Sequence, residues 1–452
     1  MKKLIILLLL LPFCVQAKED SLFIRKIYDE ALENGQAHDN LRSLCKDIGA
    51  RITGSAEAKM AVEWGKKLLE SYDFDEVYLQ EITVPHWERG TKEAAWIINE
   101  DENLKKMHLI ALGGSVCTGG LIEGEVVAVN SIEEMQQLGR DKVQGKIVFF
   151  NRPFDQKLIQ TFQAYGACID QRYEGANEAG KLGAKAVVIR SLSSSTDIHP
   201  HTGSMRYVEA EDSIPAAALS TVDADLLSNW LKSGKVKLRM EMDCRYYPDE
   251  ISHNVIAEMK GSKDNKIITF GGHLDSWDVG EGAHDDGAGV VHSVEALRIL
   301  KKLGYQPRHT LRCVLFMNEE NGNFGGKNYA RIADEKGEEH ICAIETDRGG
   351  FLPVGFDIMG SAEQIQLVQQ YSGLLKAFQL YKFDEGYSGV DIRPLKKYYP
   401  EMIQLGMAIS SQRYFDFHHA ESDVFENVNK RELHLGAAAM AAMIYLMDKS
   451  LE

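Results

Sequence analysis

The chain has 452 residues, 44% hydrophobic and 26% charged, the balance of a globular protein long enough for two or three domains. A formal net charge of -16 sets aside nucleic acid and anionic membrane surfaces as principal partners. An acidic balance of this kind serves solubility and identifies no substrate.

The chain opens on Met1-Lys2-Lys3, an apolar run over 4–13, then Val15-Gln16-Ala17. A basic start, a short apolar stretch and a small residue at the cut predict a cleavable secretory leader over 1–17, and with it a secreted or periplasmic protein. The run is too short for a permanent span, and no later segment has the length and apolarity of one, so no membrane anchor is expected. Cys14 offers a lipoprotein alternative, opposed by Pro12 and Phe13 where small residues would stand. Cys45, Cys117, Cys168, Cys244, Cys313 and Cys342 form no CxxC pair, which argues against a cysteine zinc site.

Helical spacing of apolar residues predicts helices over 21–33 and 56–71, with the loop 49–54 between them. A strand is predicted over 75–84, stopping at Pro85-His86-Trp87. The texture then changes: β-rich runs at 121–129, 146–150, 185–190 and 214–219 alternate with a helical piece at 176–182. Residues 116–247 therefore read as a smaller domain inserted into a main one made of 18–115 and 248–452. From 254 onward, strands at 255–258, 267–271, 310–317 and 341–344 alternate with helices, the first over 287–300. That is the pattern of an α/β sheet with parallel strands. The apolar stretch 433–447 reads as a core helix.

Histidine and acidic residues stand where these strands stop. His273 and Asp275 follow the strand at 267–271, and Asp285-Asp286-Gly287 open the next helix. Glu319-Glu320 follow the strand ending at 317, Asp347 follows the strand at 341–344, and His418-His419 lie in a later loop. An isolated acidic pair is ordinarily a solvated surface. Here several acids follow core strands, and ligands of open α/β sheets bind at the carboxyl ends of strands. Carboxylates gathered there repel one another unless a cation neutralises them. Imidazole with carboxylate and no thiolate suits zinc or a similar divalent ion. Two metals about 4 Å apart need a bridging carboxylate, further ligands on each side, and one free carboxylate to move protons.

At these residues the sequence resembles the co-catalytic zinc aminopeptidase and carboxypeptidase family. The run His273-Leu274-Asp275-Ser276-Trp277-Asp278-Val279-Gly280, followed by Asp285-Asp286-Gly287, is nearly the whole family signature. The stretches 84–90 and Pro200-His201-Thr202-Gly203 also look like members of that family, and the likeness runs from about Ile48 to the end. It implies a three-layer zinc-exopeptidase domain with a mixed, largely parallel sheet, plus an inserted β-rich protease-associated domain. It implies two zinc ions per chain: His273 and Asp347 on one, Glu320 and His419 on the other, and Asp285 bridging. Glu319 would be general base and acid, and Asp275 would hold the His273 imidazole through its other nitrogen. His419 is preferred to His418 for its spacing to Asp423. A non-proline cis peptide is implied at Asp285–Asp286, and Tyr387 and Asp391 fall where the family binds substrate. His284, His292, His86, Trp87 and His201 read as packing or domain-contact residues. Two departures stand off the ligand positions, Gly326 after Gly325 and Val424 after Asp423.

The expected activity is hydrolysis of dipeptides or short peptides with free termini. A broader aminopeptidase is the alternative within the same chemistry. A single-zinc glutaminyl cyclase or a non-catalytic binding module would lack part of the ligand set. The oligomeric state stays open, a homodimer included. Cys117 and Cys244 stand at the entry and exit of the expected insert, where a disulfide and two free thiols are both open.

Overall fold

The computed structural model describes residues 2–210 and 213–452, with side chains from residue 18 onward. The leader expected over 1–17 thus lies outside the described side chains, and its main chain from Lys2 begins the helix Lys2–Asn34. Among the described residues no helix is long and apolar enough to cross a membrane.

The chain lays down β1 (Glu76–Glu88) and then a group of shorter strands: β2 (Glu93–Asn99), β3 (Leu104–Met107), β4 (Leu109–Ala111) and β5 (Ile122–Val129). That group continues with β6 (Ile147–Phe150), β7 (Ala186–Arg190), β8 (Ala216–Leu219) and β9 (Val236–Met242). The chain returns through β10 (Arg245–Met259), β11 (Ile267–His273), β12 (Thr310–Phe316) and β13 (His340–Glu345). It ends its strands with β14 (Pro353–Met359), β15 (Lys382–Glu385) and β16 (Ile403–Ile409).

The first sheet has the order β1-β10-β12-β11-β13-β16-β14-β15. Its centre, from β12 through β11 and β13 to β16, is parallel, while β10 and β14 run the other way. Parallel neighbours need crossovers. The helix Ala288–Lys302 supplies one between β11 and β12, and Phe324–Glu335 supplies one between β12 and β13. Every residue of β11 and β12 is buried, which is why the sequence reads there as largely apolar runs, broken in β12 by Arg312. Leu311, Cys313 and Leu315 of β12 join one core with the helices Ala288–Lys302 and Lys430–Ser450. Val314 and Phe316 join the opposite core with Tyr329 and Ala330 of the other crossover helix. Helices therefore cover both faces. β1 runs past its expected end at 84: Pro85 sits at a register shift between Val84 and His86, where a residue without an N–H interrupts no ladder bond.

The second sheet has the order β3-β2-β9-β5-β6-β7-β8-β4, with β5 to β8 parallel. Its first strand begins at Glu93, earlier in the chain than the expected boundary at 116, because β2 pairs with β9 along its whole length. β6 and β7 alternate between two cores, with Val148, Phe150, Val187 and Ile189 on one face and Ile147, Phe149, Ala186 and Val188 on the other. The first of these cores also takes in Phe351, Ile409, Tyr414, Phe415 and Phe417. The second sheet is thus packed against the segment leading to His418 and His419. Cys117 and Cys244 are free, Cys117 exposed and Cys244 buried, so the disulfide between them is not formed.

Candidate metal centre

β11 lies between β12 and β13, parallel to both, so their carboxyl ends share one edge. β11 ends on His273, β12 leads into Glu319 and Glu320, and β13 ends just before Asp347. Asp285 arrives from the helical turn Ala283–Gly287, where the Asp285–Asp286 peptide bond is cis. His419 follows the short helix Tyr414–Phe417 and has a left-handed backbone, φ 62°.

Asp285 stands between two groups. Its Oδ1 is 3.2 Å from His273 Nε2, and that nitrogen is 3.5 Å from Asp347 Oδ1. Its Oδ2 is 3.1 Å from His419 Nε2, which is 3.2 Å from Glu320 Oε2. His418 Nε2 lies 3.5 Å from the same Asp285 oxygen, its ring stacked on that of His419. Both histidines approach Asp285, and His419 adds the contact with Glu320. A cavity lined by Trp277, Val279, Gly282, His419 and Asp423 opens beside Asp285 and Glu320.

The residues present fit a divalent cation. His273 Nε2, Asp285 Oδ2 and Glu320 Oε1 are buried and make no hydrogen bond. Buried polar atoms are ordinarily paired, and these belong to the residues that meet around Asp285 and His419. Histidine nitrogen with carboxylate oxygen is a donor set of zinc. Charge points the same way. Burial, with Asp285 beside it, pushes the Glu320 carboxyl up to about 7. Burial, then Asp347 and Glu320, raises Glu319 well above the ordinary carboxylate range. Burial disfavours charge on His273, yet its contacts with Asp285 and Asp347 hold its pKa well above the ordinary value. The site is short of positive charge.

Asp275 meets the His273 ring through its main chain more closely than through its carboxylate, whose Oδ1 lies 3.8 Å from Nδ1. His273 Nδ1 is 3.0 Å from the main-chain oxygen of Asp275, so the peptide carbonyl, not the carboxylate, orients the ring. The carboxylate instead accepts the N–H groups of Asn318 (2.7 Å), Glu319 (3.1 Å) and Glu320 (3.3 Å), with Thr53 Oγ1 at 3.2 Å. It fixes the loop that carries both glutamates. Two supports were not singled out from sequence. Asp286 accepts the N–H groups of His273 and Gly289, each at 3.0 Å. Asp423 accepts those of His284 (2.7 Å) and Asp285 (3.1 Å). The signal was present in the DDG and HHAESD runs, but carboxylates bound to main chain look the same in sequence as carboxylates bound to metal.

Tyr387 is half-exposed, and its carbonyl accepts from Arg348 at 2.7 Å. Asp391 is fully buried, as His273, Asp285 and Glu320 nearly are, and both of its carboxylate oxygens lack a hydrogen-bond partner. The neighbouring N–H groups of Val390 and Ile392 donate to Glu345, at 2.8 and 2.9 Å, and hold the segment that carries Asp391. His284 and His292 are buried packing residues, His284 stacked on Phe351 at 4.3 Å.

A model of peptidase family M28 matches residues 254–444. Carboxypeptidase Q of Bos taurus is 33% identical over 429 residues, 93% of this chain and 86% of that protein. Carboxypeptidase Q of Homo sapiens is 32% identical over 429 residues, again 93% of this chain and 86% of that one. A solved peptidase M28 precursor from Shewanella amazonensis SB2B is 30% identical, covers 96% of this chain and 98% of its own, and superposes with a TM-score of 0.91. A zinc aminopeptidase from Bacillus subtilis shares the fold at 17% identity and a TM-score of 0.65, over 92% of this chain and 94% of its own.

Proposed function

The chain belongs to peptidase family M28 and is a zinc metallopeptidase, and from that premise we propose that it is a two-zinc exopeptidase acting on dipeptides or short peptides with free termini. The observation that carries the reading is Asp285, whose two oxygens face separate histidine–carboxylate groups. His273 and Asp347 would hold one ion, Glu320 and His419 the other, with Asp285 shared. Zinc bound there would polarise the scissile carbonyl and acidify the attacking water.

Donation of the His273 Nδ1–H to the Asp275 carbonyl leaves its Nε2 lone pair facing Asp285 and Asp347. Glu319 pairs with no cationic side chain among the described residues, and its main-chain N–H is tied to Asp275. Glu319 is the residue we assign to take the proton of water and return it to the leaving amine. Tyr387, half-exposed, and the unpartnered carboxylate of Asp391 are the groups we assign to substrate. Residues 1–17 are read as the leader of a secreted or periplasmic protein, and the second sheet as a protease-associated insert. A homodimer is compatible with this reading.

A cleavage screen over free, amino-blocked and carboxyl-blocked dipeptides and tripeptides, with metal analysis, tests the proposal. Hydrolysis confined to free short peptides, with two zinc ions per chain, is the expected result. Cleavage of carboxyl-blocked or longer substrates from the amino end would replace it with a broader aminopeptidase. No hydrolysis by zinc-replete protein would overturn it.

A further inference from the structure

The residues that hold His419 come from the other sheet. Residues 201–203 lie between β7 and β8, far in sequence from the loop they meet. The main chain of Thr202 grips His419 at two points: its N–H donates to the His419 carbonyl at 2.9 Å, and its own carbonyl lies 3.3 Å from His419 Nδ1. His201 Nδ1 is 2.6 Å from the carbonyl of His418. Gly203 closes the arrangement. Its φ is +136°, and a Cβ there would stand 2.4 Å from Arg172 Nη1 and 2.7 Å from His419 Nδ1. Arg172, almost fully buried, stands with Nη1 3.5 Å from Nδ1, but a guanidinium accepts no proton, so the nearer Thr202 carbonyl is the acceptor there for an Nδ1–H.

We propose that the Thr202-Gly203 segment of the second sheet completes the metal centre: the Thr202 carbonyl takes the Nδ1–H of His419 and so turns the Nε2 lone pair toward Glu320 and Asp285. An imidazole has one lone pair to give a metal when its other nitrogen carries the proton, and an acceptor at that nitrogen fixes both tautomer and ring direction. The other half of the site gets the same service locally, from the carbonyl of Asp275 on His273. One half of the site is therefore built within the first sheet, and the other half depends on the second sheet being docked. His201 and Thr202 are positioning residues. The inference rests on His419 being a metal ligand, as proposed above.

The test is zinc binding to full-length protein, read as stepwise affinities in metal-buffered titrations rather than as activity. His419→Ala identifies the step that belongs to the Glu320 side. Gly203→Ala is expected to weaken that same step by about 10–100-fold and leave the other unchanged. Gly139→Ala supplies the control, since Gly139 also has positive φ (+70°) but nothing within 4 Å of a Cβ. Should Gly203→Ala fail to fold, His201→Ala decides: it is expected to weaken the same step, and His201→Asn, whose amide N–H donates near the Nδ1 position, to restore it. If His419→Ala loses one step while Gly203→Ala and His201→Ala keep both at wild-type affinity, the second sheet does not position the ligand and this inference falls alone. If His419→Ala itself keeps both steps, the ligand assignment falls with it.

Discussion

Strand β12 carries buried charge in its middle and again beyond its carboxyl end. Around Arg312 the charge closes on itself: Nε donates to Glu258 at 2.7 Å, and Nη1 and Nη2 grip both oxygens of Glu338 at 2.6 and 3.1 Å. Tyr329 Oη accepts at 3.2 Å, and Lys260 pairs with Glu258 from the surface. Past the strand's end, Glu319 and Glu320 meet Asp285, Asp347 and two imidazoles, and donor and acceptor atoms of His273, Asp285 and Glu320 are left over. Burial of charge therefore does not mark a functional site, since both clusters have it. What separates them is completion: one contains its own cations, and the other has places for cations from outside. A complete cluster is costly to break, and an incomplete one is useful only when something binds.

The largest effect that tests this contrast is at Glu319. Glu319→Gln keeps the shape of the side chain and its loop but cannot take a proton. Turnover should fall by roughly 10²–10⁴-fold with zinc content unchanged. Near-wild-type rates in metal-replete Glu319→Gln protein would move the proton-transfer role to another residue and remove Glu319 from the incomplete cluster's chemistry.

Arg312→Leu is the counterpart in the closed cluster. It leaves Glu258, 2% exposed, with Lys260 from the surface side and a long contact from the Tyr78 hydroxyl at 3.4 Å. Breaking a buried pair by removing one partner costs about 3–5 kcal/mol, and Lys260 should hold the loss to the lower end. Denaturant unfolding should show that loss, while kcat per folded molecule and zinc content stay within about twofold. A drop in turnover matching the Glu319 variant, in folded protein, would show the two clusters are coupled.

Much of the incomplete cluster was legible in sequence for a physical reason. β11 and β12 are buried throughout, so their ends are sharp changes from apolar runs to His273, Glu319 and Glu320, and parallel strands bring such ends to one edge. Main-chain contacts were not legible. The carbonyls of Asp275 and Thr202 that orient His273 and His419 belong to groups every residue has, so no residue type announces them. The N–H groups of Val390 and Ile392 that tie the segment around Asp391 to Glu345 are silent for the same reason. The second sheet's start at Glu93 was hidden because β2 pairs with β9, a partner far along the chain. The strand reading at 75–84 stopped short because Pro85 ordinarily ends a strand, whereas here it occupies a bulge.

The smallest effect probes the closed cluster through pH. Burial alone would raise the Glu338 carboxyl, but hydrogen bonds to His340 and Arg312 outweigh it and pull the pKa from 4.5 to about 2. Burial lowers the pKa of His340, and Arg312 is the permanent positive charge beside Glu338. A carboxyl whose folded pKa lies below its unfolded one stabilises the fold above the unfolded value, and that contribution is lost as pH falls from 4.5 toward 2. With the side chain 16% exposed, water screens part of it, and the contribution is on the order of 1–2 kcal/mol. Glu338→Gln retains a hydrogen-bonding side chain but cannot ionise. Urea unfolding of both proteins at about pH 6 and about pH 3 should show a stability gap that narrows toward the acid end. A gap constant over that range would mean that Glu338 titrates in the folded protein as it does in the unfolded chain. Arg312 would then not be neutralising it, and the cluster that looks finished would be as short of partners as the one beyond the strand's end.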